Sequence, residues 1–209
     1  MARFDPEVIP PEALALANAG ARIGLLGGSF NPAHEAHLHI SLIALRRLQL
    51  DCVWWLVSPQ NPLKSDDGMA SLERRLIRAR EVAARPNIFV TSIETQLGTQ
   101  FTFDTLSALK QNFSKARFVW LMGGDNLASF HRWQRWEDIA KMMPFAVIAR
   151  PRFTTRALAS PAAQQLRASR RNVGECAMLA EQAPPAWVFI QERLDPTSAT
   201  AIRARGVWR

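Results

Sequence analysis

The stretch Cys52–Val57 (CVWWLV) is an unbroken apolar run of strand length, with no polar residue at alternate positions. A strand that faces water on one side alternates apolar with polar, so an unbroken run must be covered on both faces. The same reading applies to Arg22–Leu26, Ile88–Thr91, Phe118–Met122, Phe145–Ala149 and Trp187–Ile190. Between these runs the period changes. Leu38, Leu42, Leu45 and Leu48 fall at helical spacing with Arg46 and Arg47 on another face, and Leu72–Ala84 and Thr105–Lys110 also read as helices. Strands covered on both sides that alternate with helices define an α/β protein, a doubly wound, mostly parallel sheet with helices on both faces. Arg152–Pro185, rich in Ala, Arg and Gln, reads as one or two surface helices.

A chain of 209 residues is enough for one sizeable domain and too short for two of typical size. Residues 21–209 are therefore expected as a single domain, and residues 1–20 as a short N-terminal extension. That extension carries Asp5, Glu7, Pro10, Pro11 and Glu12 without a basic segment leading into an apolar one, which argues against a secretory signal. No apolar run is long enough to cross a membrane. Cys52 and Cys176 are the only cysteines and form no CxxC pair, so neither a disulfide framework nor a zinc site is indicated, and a reducing cytoplasm fits. Lys and Arg number 26 against 18 acids, a formal charge of +8, which favours anionic partners. The basic residues are scattered, as in Arg74, Arg75, Arg78 and Arg80 or Arg167, Arg170 and Arg171, and read as a solvated surface rather than a nucleic-acid face.

Ligands of such sheets bind beyond the carboxyl ends of the strands, and two segments there carry chemistry. The first is Gly27-Gly28-Ser29-Phe30-Asn31-Pro32-Ala33-His34-Glu35-Ala36-His37. Paired glycines admit a phosphate close to the backbone, whose N–H groups can line an anion site. His34 and His37, three apart at a helix start, project from one face where the helix dipole favours negative charge. His39 lies off that face and reads as structural. The second segment is Thr197–Arg203, with Ser198 at an N-cap, Thr200 in the first turn and Arg203 one turn on. Its hydroxyls and guanidinium suit a second phosphate clamp.

These segments resemble the bacterial nicotinate mononucleotide adenylyltransferases, of the nucleotidyltransferase superfamily that shares an HxGH signature with class I aminoacyl-tRNA synthetases. GGSFNPAHEAH is similar to that family's GG[ST]F[DN]PxHxGH, and TSATAIR to its IS[SA]TxIR. Ser58–Lys64 is similar to its PxxPxK substrate loop, Phe101–Leu106 to [YF]TxDTL, and Gly123–Leu127 with Trp133 to G[GA]DNL with a downstream Trp. The matches run in family order from Gly27 to Arg203.

The resemblance implies a Rossmann-like fold and transfer of AMP from ATP to nicotinate mononucleotide, with Mg²⁺ on the polyphosphate. His34 and His37 would stabilise charge at the reacting phosphorus. Gly27, Gly28, Ser29 and Phe30 would hold phosphate, and Ser198, Thr200 and Arg203 would grip the departing pyrophosphate. Lys64 and Thr102 would face the mononucleotide, and Asp125 would hydrogen-bond a ribose or help place the metal. Trp133 would offer a ring face to the pyridinium, although Trp54, Trp55, Trp120 and Trp136 make a core role an open alternative. Asp104 would cap or orient the following helix. Two departures matter: Ala36 stands where the HxGH pattern has Gly, and the chain stops at Arg209 where relatives often continue through another helix. Either that helix is dispensable or its surface is covered by another subunit, so a homo-oligomer is one expectation. Other phosphate acceptors, nicotinamide mononucleotide or phosphopantetheine, are the nearest alternatives. A basic RNA-binding module on the same fold is the alternative from another class, but no RNA-binding signature supports it and no nucleic-acid partner is expected.

Overall fold

The structure is a computed structural model, and it describes residues 4–59, 69–149, 154–192 and Ile202. Its elements run α1 (Pro11–Asn18), β1 (Arg22–Gly28), α2 (Glu35–Arg47), β2 (Cys52–Val57), α3 (Leu72–Val82), β3 (Ile88–Thr91), α4 (Ile93–Leu97), α5 (Thr102–Asn112) and β4 (Arg117–Gly123). They continue through α6 (Gly124–Ser129), α7 (Trp136–Met142), β5 (Phe145–Ile148), α8 (Thr154–Leu158), α9 (Pro161–Gln165) and β6 (Trp187–Ile190). The six strands form one sheet in the order β3-β2-β1-β4-β5-β6, and every neighbouring pair is parallel. Each apolar run anticipated from the sequence is a strand of this sheet.

The period of two explains the two cores. On one face Cys52, Trp54 and Leu56 of β2 join Phe118, Trp120 and Met122 of β4 under α1, α5, α7 and α9. On the other, Val53, Trp55 and Val57 join Val119 and Leu121 under α2 and α3. A fully buried aromatic or aliphatic side chain contributes roughly 1.5–3 kcal/mol, and each strand supplies them to both faces, so neither layer of helices can be removed without exposing a core.

Two segments pack more tightly than their composition suggests. Within residues 4–20, Ile9, Ala13 and Ala17 are fully buried in the first core, and the N–H of Ser92 donates to the carbonyl of Val8 at 3.1 Å. Beyond Arg152, α8 and α9 put Ala157, Ala162 and Ala163 into the core, so these are not merely surface helices. Alanine explains both differences: it is small enough to let a short helix press onto the sheet, yet gives little hydrophobic signal.

The connection from β1 crosses one face through α2 to β2, whereas β4 lies on the other side of β1. Strand order therefore reverses between β1 and β4, and the chain ends leaving β1 and β4 diverge there to open a crevice.

Candidate active site

A cleft of about 150 Å³ lies at this switch point, lined by Gly27, Gly28, Ser29, Ser58, Glu94, Gln100, Phe101, Thr102, Trp120, Trp133 and Gln134. The ends of β1 and β2, α4, the start of α5 and the turn after α6 thus supply one wall each. The two glycines play different parts. A Cβ on Gly27 would strike the Trp120 ring, with Cζ2 at 3.2 Å and Cζ3 at 3.3 Å, whereas a Cβ on Gly28 would meet nothing nearer than Phe30 at 3.6 Å. Gly27 is bare because an indole occupies its side-chain space. The room beside Gly28 is left to the cleft.

Thr102 is the first residue of α5, whose N-cap, Phe101, makes no side-chain cap bond. The first N–H groups of a helix lack intrahelical partners and carry partial positive charge, and here they border the cleft. Glu94 sits deeper. The Thr105 hydroxyl donates to its Oε1 at 3.2 Å, and the Thr99 and Thr105 hydroxyls are 2.8 Å apart. Burial raises the Glu94 carboxyl above its ordinary range, while hydrogen bonds from Ser58 and Thr105 pull it back. Trp133 lines the cleft with its ring edge-on to Phe130 at 5.4 Å and to Trp120 at 6.4 Å.

His34 is the N-cap of α2 and His37 its third residue. The backbone N–H of His34 donates to His37 Nδ1 at 3.2 Å. In the neutral ring that leaves the proton on Nε2, which makes that atom a donor for an anion. The two imidazoles are together, with centroids 3.9 Å apart, as the spacing anticipates. Their support is layered. The Phe30 ring lies 4.7 Å from His37 and stacks on Trp55 at 5.0 Å. Trp55 Nε1 donates to Ser41 Oγ at 2.8 Å, and that hydroxyl donates to the His37 carbonyl at 2.9 Å. Phe30, with φ +45, has its side chain in the core and gives the loop after β1 its backbone alone. The imidazoles do not themselves line the cleft; the chain reaches them from it through Ser29–Ala33.

Asp125 is half-buried in the first turn of α6, beside the cleft but not lining it. Asp104 is exposed in the first turn of α5, where it complements the helix dipole. Lys64, Arg150, Ser198, Thr200 and Arg203 lie outside the described residues. The chain leading toward the last three is tethered at Glu192, whose carboxylate accepts from Arg46 at 3.3 Å and Arg47 at 3.2 Å on α2.

The basic-surface reading fails at one residue. Arg75 is 1% exposed, because its guanidinium is consumed by backbone carbonyls: Nε donates to Ala70 at 3.0 Å, Nη1 to Ser29 at 2.7 Å and to Ser58 at 2.6 Å, and Nη2 to Pro59 at 2.8 Å. The readable signal is its spacing, since Arg75, Ala79 and Val82 fall at i, i+4 and i+7 on the buried stripe of α3. Glu94 also lines the cleft without belonging to any motif, whereas Ser58 opens the segment similar to the substrate loop.

A doubly wound parallel sheet with a glycine-bordered cleft, a helix N-terminus and paired imidazoles at its switch point defines a nucleotide-handling α/β protein. The comparisons with known proteins agree. Residues 25–205 match the family described as Cytidylyltransferase-like. A protein of Parvibaculum lavamentivorans named "Probable nicotinate-nucleotide adenylyltransferase" is 53% identical over 92% of this chain and 96% of its own. One of the same name from Erythrobacter litoralis is 55% identical over 89% and 85%. The Plasmodium falciparum nicotinic acid mononucleotide adenylyltransferase solved with NaAD superposes with a TM-score of 0.66 at 17% identity, covering 88% of this chain and 83% of that one. At that identity the likeness concerns the fold. This chain belongs to the Cytidylyltransferase-like family and, within it, to the nicotinate-nucleotide adenylyltransferases.

Proposed function

We propose that this chain transfers AMP from ATP to nicotinate mononucleotide, giving deamido-NAD and pyrophosphate, in the cytoplasm. The observation that carries the reading is the cleft that brings the Gly28 backbone, the N-terminus of α5 and the Trp133 ring together. An anionic carboxylate suits the free N–H groups at Thr102. A cationic pyridinium suits an indole face, and a phosphate suits the open side of Gly28.

No enzyme nucleophile is required. The mononucleotide phosphate is already anionic and attacks the α-phosphorus of ATP in line, forming the new P–O bond as the bond to pyrophosphate breaks. Catalysis is positioning and charge stabilisation. His37 Nε2–H and the His34 imidazole would donate to the polyphosphate, with Ser29 and the Gly28 backbone behind them. Ser198, Thr200 and Arg203 would hold the leaving pyrophosphate, and Lys64 would add charge beside the mononucleotide. Mg²⁺ binds through substrate phosphates and water more readily than in an all-protein cage, and among the described residues no trio of His, Cys, Asp or Glu forms such a cage. Asp125, in the first turn of α6, would help hold it or hydrogen-bond a ribose. When bound, the cation would neutralise charge on the polyphosphate oxygens.

The test is pyrophosphate release with ATP and either the acid or the amide mononucleotide. Faster turnover of the acid is expected, because the α5 N-terminus favours a negative carboxylate over a neutral amide. Equal or greater turnover of the amide would overturn the choice of acceptor, and no turnover of either would overturn the reaction.

A further inference from the structure

We propose that Arg75 is a positioning residue for the reaction: one guanidinium sets how the phosphate loop after β1 and the chain leaving β2 face each other across the cleft. This rests on the adenylyl transfer proposed above. The strands are held in register up to the pair Gly28↔Val57, and beyond that pair the N–H of Ser58 still donates to the Gly28 carbonyl at 3.0 Å. There the ladder ends. Ser29 and Ser58, the next residues on each side, both line the cleft, and their carbonyls both accept from the same nitrogen, Arg75 Nη1. The remaining donors run to Pro59 and to Ala70 at the foot of α3.

Three chain segments thus converge on a planar group whose donor directions are fixed. A lysine ammonium could keep the charge but not that fork. Buried charges are ordinarily paired with an opposite charge, yet among the described residues no carboxylate bonds this one, and carbonyl dipoles satisfy it instead. Burial accordingly lowers the Arg75 pKa. A residue needed only to fill the core would be apolar here, since the neighbouring positions on its stripe, Ala79 and Val82, are. Arg75 instead bonds to two residues of the cleft wall without itself lining the cleft formed by the described residues.

The test compares Arg75→Lys with the active wild-type enzyme, each at a temperature where circular dichroism shows it folded. Losing the fork should displace Ser29 relative to Ser58 and misalign the two substrates, and a displacement of about 1 Å can cost on the order of 10²-fold in rate. We expect kcat to fall about 10- to 100-fold while KM for ATP and for the mononucleotide each stay within about threefold. A folded variant with unchanged kcat, or with loss confined to KM or to melting temperature, overturns the proposal. If Arg75→Lys does not fold, the wild-type protein decides. Its buried Arg75 Nε–H should give a slowly exchanging ¹⁵N-edited NMR signal that shifts with a non-hydrolysable ATP analogue and again with the mononucleotide; a signal unmoved by both overturns the coupling. Absence of wild-type turnover would instead count against the reaction itself.

Discussion

Replacing Gly27 and Gly28 by alanine, one at a time, separates packing from ligand approach at the end of β1. In Gly27→Ala the new methyl enters the Trp120 ring, which has little freedom to retreat. The ring is buried and its neighbour Trp133 stands edge-on to it at 79°. Overpacking of this kind costs about 1–3 kcal/mol. At about 2–4 °C per kcal/mol for a chain of this size, the melting temperature should fall roughly 2–12 °C. Because Trp120 and Trp133 both line the cleft, KM for the mononucleotide should rise as well. Gly28→Ala is the opposite case. Its Cβ meets Phe30 at an ordinary 3.6 Å and its backbone is not left-handed, so stability should change by no more than about 0.5 kcal/mol. Its methyl nevertheless takes the space through which a phosphate would reach the backbone, and kcat/KM should drop about 10- to 100-fold. Melting curves and pyrophosphate release on both variants make the comparison. Wild-type melting by Gly27→Ala would mean that Trp120 yields freely, and full activity in Gly28→Ala would mean that no ligand approaches there.

Removing the His37 imidazole (His37→Ala) should lower turnover by about two to four orders of magnitude, as loss of transition-state donors does; near-normal turnover by the folded variant would remove the residue from the chemistry. Lys64→Ala should raise KM for the mononucleotide much more than for ATP, and equal effects in steady-state kinetics would place Lys64 elsewhere. For Glu94 the sign follows from its raised carboxyl: the folded state keeps the proton to higher pH than the unfolded chain, whose ordinary value is 4.5. Its contribution to stability therefore declines as pH rises from that value toward the folded one. Glu94→Gln should accordingly gain melting temperature relative to wild type as pH climbs above about 4.5, with the difference constant at lower pH; a difference that is flat from pH 4 to 8 refutes the assignment.

What could be read in advance and what could not divide along a physical line. Strands such as Cys52–Val57 announce themselves because burial on both faces is written residue by residue, and His34 and His37 because helical spacing alone brings them together. Ala13, Ala17 and Ala162 gave no such notice, since small side chains reach the core by close approach rather than by bulk. Arg75 reads as solvent-facing if charges are counted and as buried if its stripe is followed, and what stabilises it, four carbonyls on three segments, exists only after folding. Glu94 has no local pattern at all, because its partners Ser58 and Thr105 come from the chain leaving β2 and from α5 and meet it through topology. The glycine pair shows the distinction most sharply. In the chain Gly27 and Gly28 are the same residue twice, and the phosphate reading covers both. Across the sheet, the register Leu25↔Trp120 sets an indole against one and leaves the other open, so a cross-strand neighbour, rather than the motif, decides which glycine can serve a ligand.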